Sequence, residues 1–149
     1  MLKKIVITGG DGRFAQILKK DNKKLNILYP NKKELNILNI NSINKYLKKN
    51  KPKYLIHAAA LSRPMNIHDK QISKSIDLNI IGTANIVKVC SNLKIKLIYF
   101  STGYVYEGKI GNYKEKDPVL PVNNYAWSKL GGECAVTMYK NSLILRITM

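Results

Sequence analysis

The sequence predicts an α/β fold, a parallel sheet doubly wound by helices on both faces to give three layers. Three observations lead there. Short β-branched apolar runs alternate with amphipathic stretches of helical period along the whole chain. The first apolar run leads directly into a glycine-rich turn, "TGGDG", followed by a helical pattern. The 149 residues are enough for one domain with a sizeable core, and no repeat, low-complexity linker or composition shift divides them.

The elements follow in order. "KKIVIT" (3–8) reads as a buried strand and "RFAQILKK" (13–20) as a helix with Phe14, Ile17 and Leu18 on one face. "LNILYP" (25–30) is a second strand closed by Pro30, and "NSINKYLKKN" (41–50) a short helix packing Ile43, Tyr46 and Leu47. "KYLIHAAA" (53–60) is a third strand running into small residues. A continuous helix is expected from about Asp69 to Leu93, its inner face carrying Ile76, Ile80, Ala84, Val87 and Cys90 or Ser91. "IKLIYFST" (95–102) is a fourth strand. A tyrosine- and glycine-rich loop follows it, then a helix from about Tyr125 to Tyr139 and a last strand, "SLILRIT" (142–148). Parallel strands joined by right-handed crossovers account for this order.

Composition excludes several classes. No apolar run reaches the ~18 residues that cross a bilayer, and the first apolar stretch is too short for a secretory signal. Cys90 and Cys134 lack metal-site spacing and form no disulfide framework, so a soluble chain in a reducing, cytoplasmic compartment with no metal is expected. The formal charge of +17 is mostly lysine scattered along the chain, while arginine occurs only at 13, 63 and 146. A nucleic-acid surface concentrates such charge, so nucleic acid is not the expected partner. The same positive field suits an anionic small molecule.

Read as G-x-x-G-x-x-A, the first turn supplies Gly9, Gly12 and Ala15. Gly9 permits a tight exit from the strand and Gly12 a close approach of backbone to a pyrophosphate. Ala15 lets the helix lie against the sheet, with its N-terminus attracting phosphates. A Rossmann-type, dinucleotide-binding domain is therefore expected. After the second strand, where NAD-selective sites place an acid, the chain reads "YPNKKE"; Asn31, Lys32 and Lys33, with Arg13, favour NADP(H) over NAD(H).

Reacting groups are expected at the carboxyl ends of the other strands. Ser101 and Thr102 end the fourth strand, and Tyr125 stands four residues before Lys129 in "YAWSK", on one helix face. In carbonyl reduction a phenol supplies the proton. A neighbouring ammonium lowers its pKa, and a hydroxyl holds the carbonyl oxygen. Thr102, Tyr125 and Lys129 fill these roles, and Lys129 is also placed to hold a nicotinamide ribose. His57 reads as a strand-end histidine, His68 as isolated and solvated, and Trp127 as packing on the loop. Tyr104, Tyr106 and Tyr113 form either a sugar platform or a small core of the loop itself.

"TGGDGRFA", "HAAA" (57–60), "DLNIIGT" (77–83), "STGYVYEG" (101–108) and "YAWSK" together resemble the extended short-chain dehydrogenase/reductase family, in its sugar-nucleotide branch. The resemblance implies NAD(P)H-dependent reduction of a nucleotide-activated 4-keto-deoxysugar, with epimerisation or dehydration of such a sugar as the alternative. Thr102, Tyr125 and Lys129 match the family's catalytic trio. It further implies that Gly9, Gly12, Arg13 and Phe14 hold the pyrophosphate, and that Asn36 and Ile37 flank the adenine. Ala59, Ala60 and Leu61 would lie along the cofactor, Asn79 would support the site, and Tyr104 and Val105 would border the sugar. Gly103 and Asn36 stand where the reductase branch reads Asp. Family members are about twice as long, so residues 1–149 are expected to be the dinucleotide domain without the C-terminal substrate domain. A shortened chain of this kind acts as an enzyme, as a binding module without catalysis of its own, or as a subunit that self-associates or takes the other half from a partner chain, or it is the product of an interrupted gene.

Overall fold

The computed structural model describes residues 3–148. Five strands form one parallel sheet: β1 (Ile5–Thr8), β2 (Ile27–Leu28), β3 (Tyr54–His57), β4 (Lys96–Thr102) and β5 (Ser142–Ile147), in the order β2-β1-β3-β4-β5. The helices are α1 (Arg13–Asp21), α2 (Ile40–Asn50), α3 (Ile67–Lys70), α4 (Ile72–Ser75), α5 (Gly82–Leu93) and α6 (Asn124–Thr137). This is the Rossmann-type α/β fold expected. Right-handed crossovers put α2, α5 and α6 on one face and α1 on the other.

The core lies under the three-helix face, where Val6, Leu55, Leu97 and Tyr99 from the strands meet Ile43, Leu47, Ile86 and Val136 from the helices. Ile43 and Leu47 are one turn apart on α2, which Asn39 caps by accepting from the backbone of Asn41 and Ser42. On the opposite face α1 leaves β4 and β5 open. Leu143 and Leu145 are exposed there.

Several boundaries differ from the sequence expectation, each for a local reason. β2 pairs through only two residues because Asn22 takes both backbone groups of Leu25 into a turn and Pro30 has no N–H to give. β3 stops at His57 because the Ala59 N–H turns to the Thr8 hydroxyl instead of the ladder. The expected helix over 69–93 is broken at Gln71 (φ −132°, ψ 61°) and carries a π-helical turn over Ile76–Ile81 before α5. The wider turn shifts the helical phase. Ile76 is consequently exposed, while Asn79 and Thr83 face inward.

Candidate active site

The winding direction reverses between β1 and β3, which opens a crevice at the carboxyl ends of these strands. Gly9 leaves β1 with φ +74°, and a Cβ on it would lie 3.0 Å from the Cα of Ala59. Gly10 is tighter still. A Cβ there would sit 2.2 Å from the Tyr29 carbonyl oxygen and 2.6 Å from that of Pro30, to which its own N–H donates. Two adjacent glycines thus bring the turn against the ends of β2 and β3. Gly12 N–H donates to Gly9 O at 2.8 Å. The first turn of α1 has neither a side-chain cap nor an acidic residue, leaving its N–H groups available to an anion.

On one side of this turn lies a cleft of about 690 Å³ lined by Asp11, Asn31, Lys32, Lys33, Asn36 and Ser42. Asn31 shapes it: its side chain accepts from the N–H groups of Lys33 and Glu34, and Glu34 accepts from the Asn31 N–H in return. Asn36 is held by its own turn, accepting from Leu38 N–H. Ile37 does not join them. Its side chain is in the core against Gly82, and its carbonyl accepts from Asn85. Arg13 is exposed and lines neither this cleft nor the next.

The second cleft, about 740 Å³, collects Phe14, Ala58, Ala60, Arg63, Ser101, Thr102, Tyr104, Tyr125 and Lys129. Thr102 ends β4 and Tyr125 and Lys129 come from the first turns of α6, whose start is fixed by Asn123 accepting from Ala126 N–H. The three expected reacting groups therefore share one cavity wall. The tyrosine question resolves as well. Tyr106 and Tyr113 stack at 4.6 Å as the loop's own core, whereas Tyr104 lines the cleft with its ring edge-on to Tyr125. Val105, expected beside the sugar, is fully buried because the 3₁₀ turn over Gly103–Val105 points it inward.

Behind the cleft walls runs a directional chain of buried hydrogen bonds. The Thr83 hydroxyl donates its only proton to Asn79 O at 2.8 Å, so it accepts from His57 Nε2–H. His57 Nδ1 then accepts from the Thr8 hydroxyl at 2.8 Å, and Thr8 accepts from Ala59 N–H. Asn79 continues the chain. It accepts from Leu61 N–H, donates to Leu61 O and donates to Ser128 Oγ, all at 2.8 Å, while the Ser128 hydroxyl donates to Tyr125 O. Asn79 and Leu61 line neither cleft; they brace the strip after β3 against the helix carrying Tyr125. His57 works only as a neutral imidazole in this chain, and burial holds its pKa down at about 3.

The electrostatics of Tyr125 and Lys129 correct one expectation. Burial pushes the Tyr125 phenol above its ordinary range; the facing Thr102 hydroxyl and the Arg63 charge only partly offset this. Burial instead pulls Lys129 down to about 7, against the opposing pull of Glu133. Its ammonium lies 4.2 Å from the centroid of the Tyr99 ring, a cation–π floor that sequence reading does not reveal. His68 also departs from expectation. It is buried, bonded to Ser75 at 2.7 Å and set against the Tyr125 ring, while Trp127 is half exposed above a small cavity instead of packed on the loop.

These surroundings fit a dinucleotide. The glycine turn has no room for side chains at Gly9 and Gly10, and clefts flank it on both sides. Ser101, in the wall of the second cleft, carries a buried hydroxyl without a partner among the described residues. Gly10 was absent from the sequence expectation because the G-x-x-G reading takes Gly9 and Gly12; the doubled glycine of "TGGDG" was the available signal. Among the described residues no three His, Cys, Asp or Glu side chains cluster as metal ligands, and no helix is long and apolar enough to cross a membrane.

The RmlD substrate binding domain model matches residues 3–149. The chain belongs to that family. A dTDP-4-dehydrorhamnose reductase from Aggregatibacter actinomycetemcomitans is 30% identical over 148 residues, covering 96% of this chain and 50% of the relative. The crystal structure of the Bacillus anthracis dTDP-4-dehydrorhamnose reductase in complex with NADP superposes with a TM-score of 0.91 at 29% identity, covering 98% of this chain and 53% of that one. Methionine adenosyltransferase 2 subunit beta from Pongo abelii is 27% identical over 143 residues, 90% of this chain and 42% of the relative. The chain thus spans about half the length of the RmlD-family relatives it matches. The resemblance to sugar-nucleotide reductases drawn from the motifs agrees with this membership.

Proposed function

We propose that this RmlD-family chain is the dinucleotide-binding and proton-donating half of an NADP(H)-dependent reductase acting on a nucleotide-activated 4-keto-deoxysugar of the dTDP-4-dehydrorhamnose type. The observation that carries the reading is the shared cleft of Thr102, Tyr125 and Lys129 beside the glycine turn. Gly9, Gly10, Gly12 and the α1 N-terminus hold the pyrophosphate, with Arg13 and Phe14 alongside. Lys32 and Lys33, with Asn31, receive a 2′-phosphate at the cleft where Asn36 meets the adenosine end. When bound, the nicotinamide supplies hydride. The chain's own groups manage the oxygen and its proton. Thr102 Oγ donates a hydrogen bond to the carbonyl oxygen, and Tyr125 delivers the proton. A phenol raised by burial is fully protonated at neutral pH, which is the state a donor needs at the start of reduction. Lys129 and Arg63 supply positive charge as the phenolate forms, and Tyr104 borders the sugar.

The test is reduction of a dTDP-4-keto-6-deoxysugar followed by NADPH consumption, with Tyr125→Phe beside the parent. Turnover by the parent and its loss by at least about 10²-fold in the variant is the expected result. Equal rates in both would remove Tyr125 from the chemistry.

A second reading has its own support. Relatives named as a methionine adenosyltransferase subunit match most of this chain, and the sheet face over β4 and β5 exposes Leu143 and Leu145. In that reading the chain binds the dinucleotide and docks this face on another polypeptide without turnover of its own. Saturable NADPH binding with no turnover by the chain alone would favour it.

A further inference from the structure

Glu133 is one turn beyond Lys129 on α6 and, like it, is buried. A buried carboxylate needs a reason to stay charged. Here Arg146 of β5 grips it through Nε, at 3.1 and 3.2 Å from the two oxygens, and through its terminal nitrogen at 2.8 Å. Arg146 is held in turn by the Tyr106 hydroxyl at 2.6 Å, and its guanidinium lies over the Tyr106 ring. The carboxylate is thus held in place by β5, one turn along α6 from Lys129. Lys129 has no ion-pair partner of its own among the described residues, and its ammonium rests on the neutral face of Tyr99.

We propose that Glu133, locked by Arg146, is a positioning residue that acts through space to keep Lys129 a cation in its buried site. The inference rests on the reading that Lys129 serves the reaction as an ammonium. The other groups around it cannot substitute. His57 of β3 is neutral in its hydrogen-bonded chain, Tyr99 of β4 is a buried neutral phenol, and Tyr125 is a neutral phenol on the same helix. Arg146 is itself a cation. The Thr102 hydroxyl carries no charge. Among the described residues Glu133 is the one anion acting on Lys129, so removing its charge should let burial neutralise the amine.

The experiment is an NMR pH titration of the whole chain carrying 13Cε-labelled lysine, without any dinucleotide. The Lys129 resonance is assigned by its loss in Lys129→Arg. In the parent it should inflect near pH 7; in Glu133→Gln the inflection should move down by on the order of one pH unit, with Glu133→Asp between them. If Glu133→Gln does not fold, a lower inflection in Glu133→Asp than in the parent supports the proposal. An unchanged inflection in a folded Gln or Asp variant overturns it. Because no dinucleotide is present, a chain that failed to bind NADPH would still report the order of inflections. The two readings therefore fail separately.

Discussion

Replacing His57 by glutamine should flatten the acid side of the chain's stability profile. The imidazole is fully buried, accepts from Thr8 at Nδ1 and donates from Nε2 to Thr83, an arrangement that only the neutral ring satisfies. Its folded-state pKa of about 3 lies below the ordinary 6.5. The folded state therefore binds fewer protons than the unfolded state between those values. The associated stability is fully present above pH 6.5 and is lost as the pH falls toward 3. The whole shift corresponds to about 5 kcal/mol, of which about 2–3 kcal/mol is lost between pH 7 and pH 4.5. A domain's total stability is about 5–15 kcal/mol, so this one ring can dominate acid unfolding. Glutamine offers one acceptor and one donor to the same threonines and does not titrate. Urea unfolding of both proteins at several pH values gives the difference in stability between them. That difference should move by about 2–3 kcal/mol in the variant's favour from pH 7 to 4.5. A difference independent of pH would refute the assignment of a buried, neutral His57.

Other expectations follow from the same geometry. Gly10→Ala must move the ends of β1 and β2 apart, since its Cβ would lie 2.2 Å from a backbone oxygen. A loss of about 1–3 kcal/mol or more is expected, read as a lowered Tm together with weakened NADPH binding; an unaltered Tm would contradict the close packing. Asn79→Ala removes the three side-chain bonds that tie Leu61 and Ser128 together. It should cost on the order of 2–4 kcal/mol and lower turnover more than NADPH affinity, which parallel kinetic and binding measurements would separate. For the thiols, burial pushes Cys90 up to about 12, while Cys134 is exposed. Ellman's reagent at pH 8 should titrate one thiol in the native chain and two after denaturation, and two native thiols would show that the helix α5 core is open.

The sequence conveyed most where one physical signal had one structural meaning. β-branched runs bounded by glycine located β1 and β4, and the order of elements on a parallel sheet brought Thr102, Tyr125 and Lys129 to the same edge. Errors arose where tertiary partners decide. Nothing in "IDLNII" announces a π turn, so Ile76 falls outside the core, while Val87 and Cys90 of α5 lie in it as expected. Leu25 looked like strand until Asn22 took its backbone. Val105 alternates with Tyr104 and Tyr106 in sequence, but a 3₁₀ turn determines which of them faces the cleft. The relation of Tyr125 to Lys129 was the largest such case. Spacing put them on one helix face, yet burial raises the phenol and depresses the amine, and no spacing rule carries that information.

NADP(H) binding at the glycine turn underlies everything proposed for this half of an RmlD-family fold. Titration of the purified chain with NADPH and with NADH, followed by nicotinamide fluorescence, tests it most directly, with the Lys32→Ala/Lys33→Ala variant alongside. Saturable binding is expected, tighter for NADPH, with the preference lost in the double variant. Failure of a demonstrably folded chain to bind either dinucleotide would contradict it.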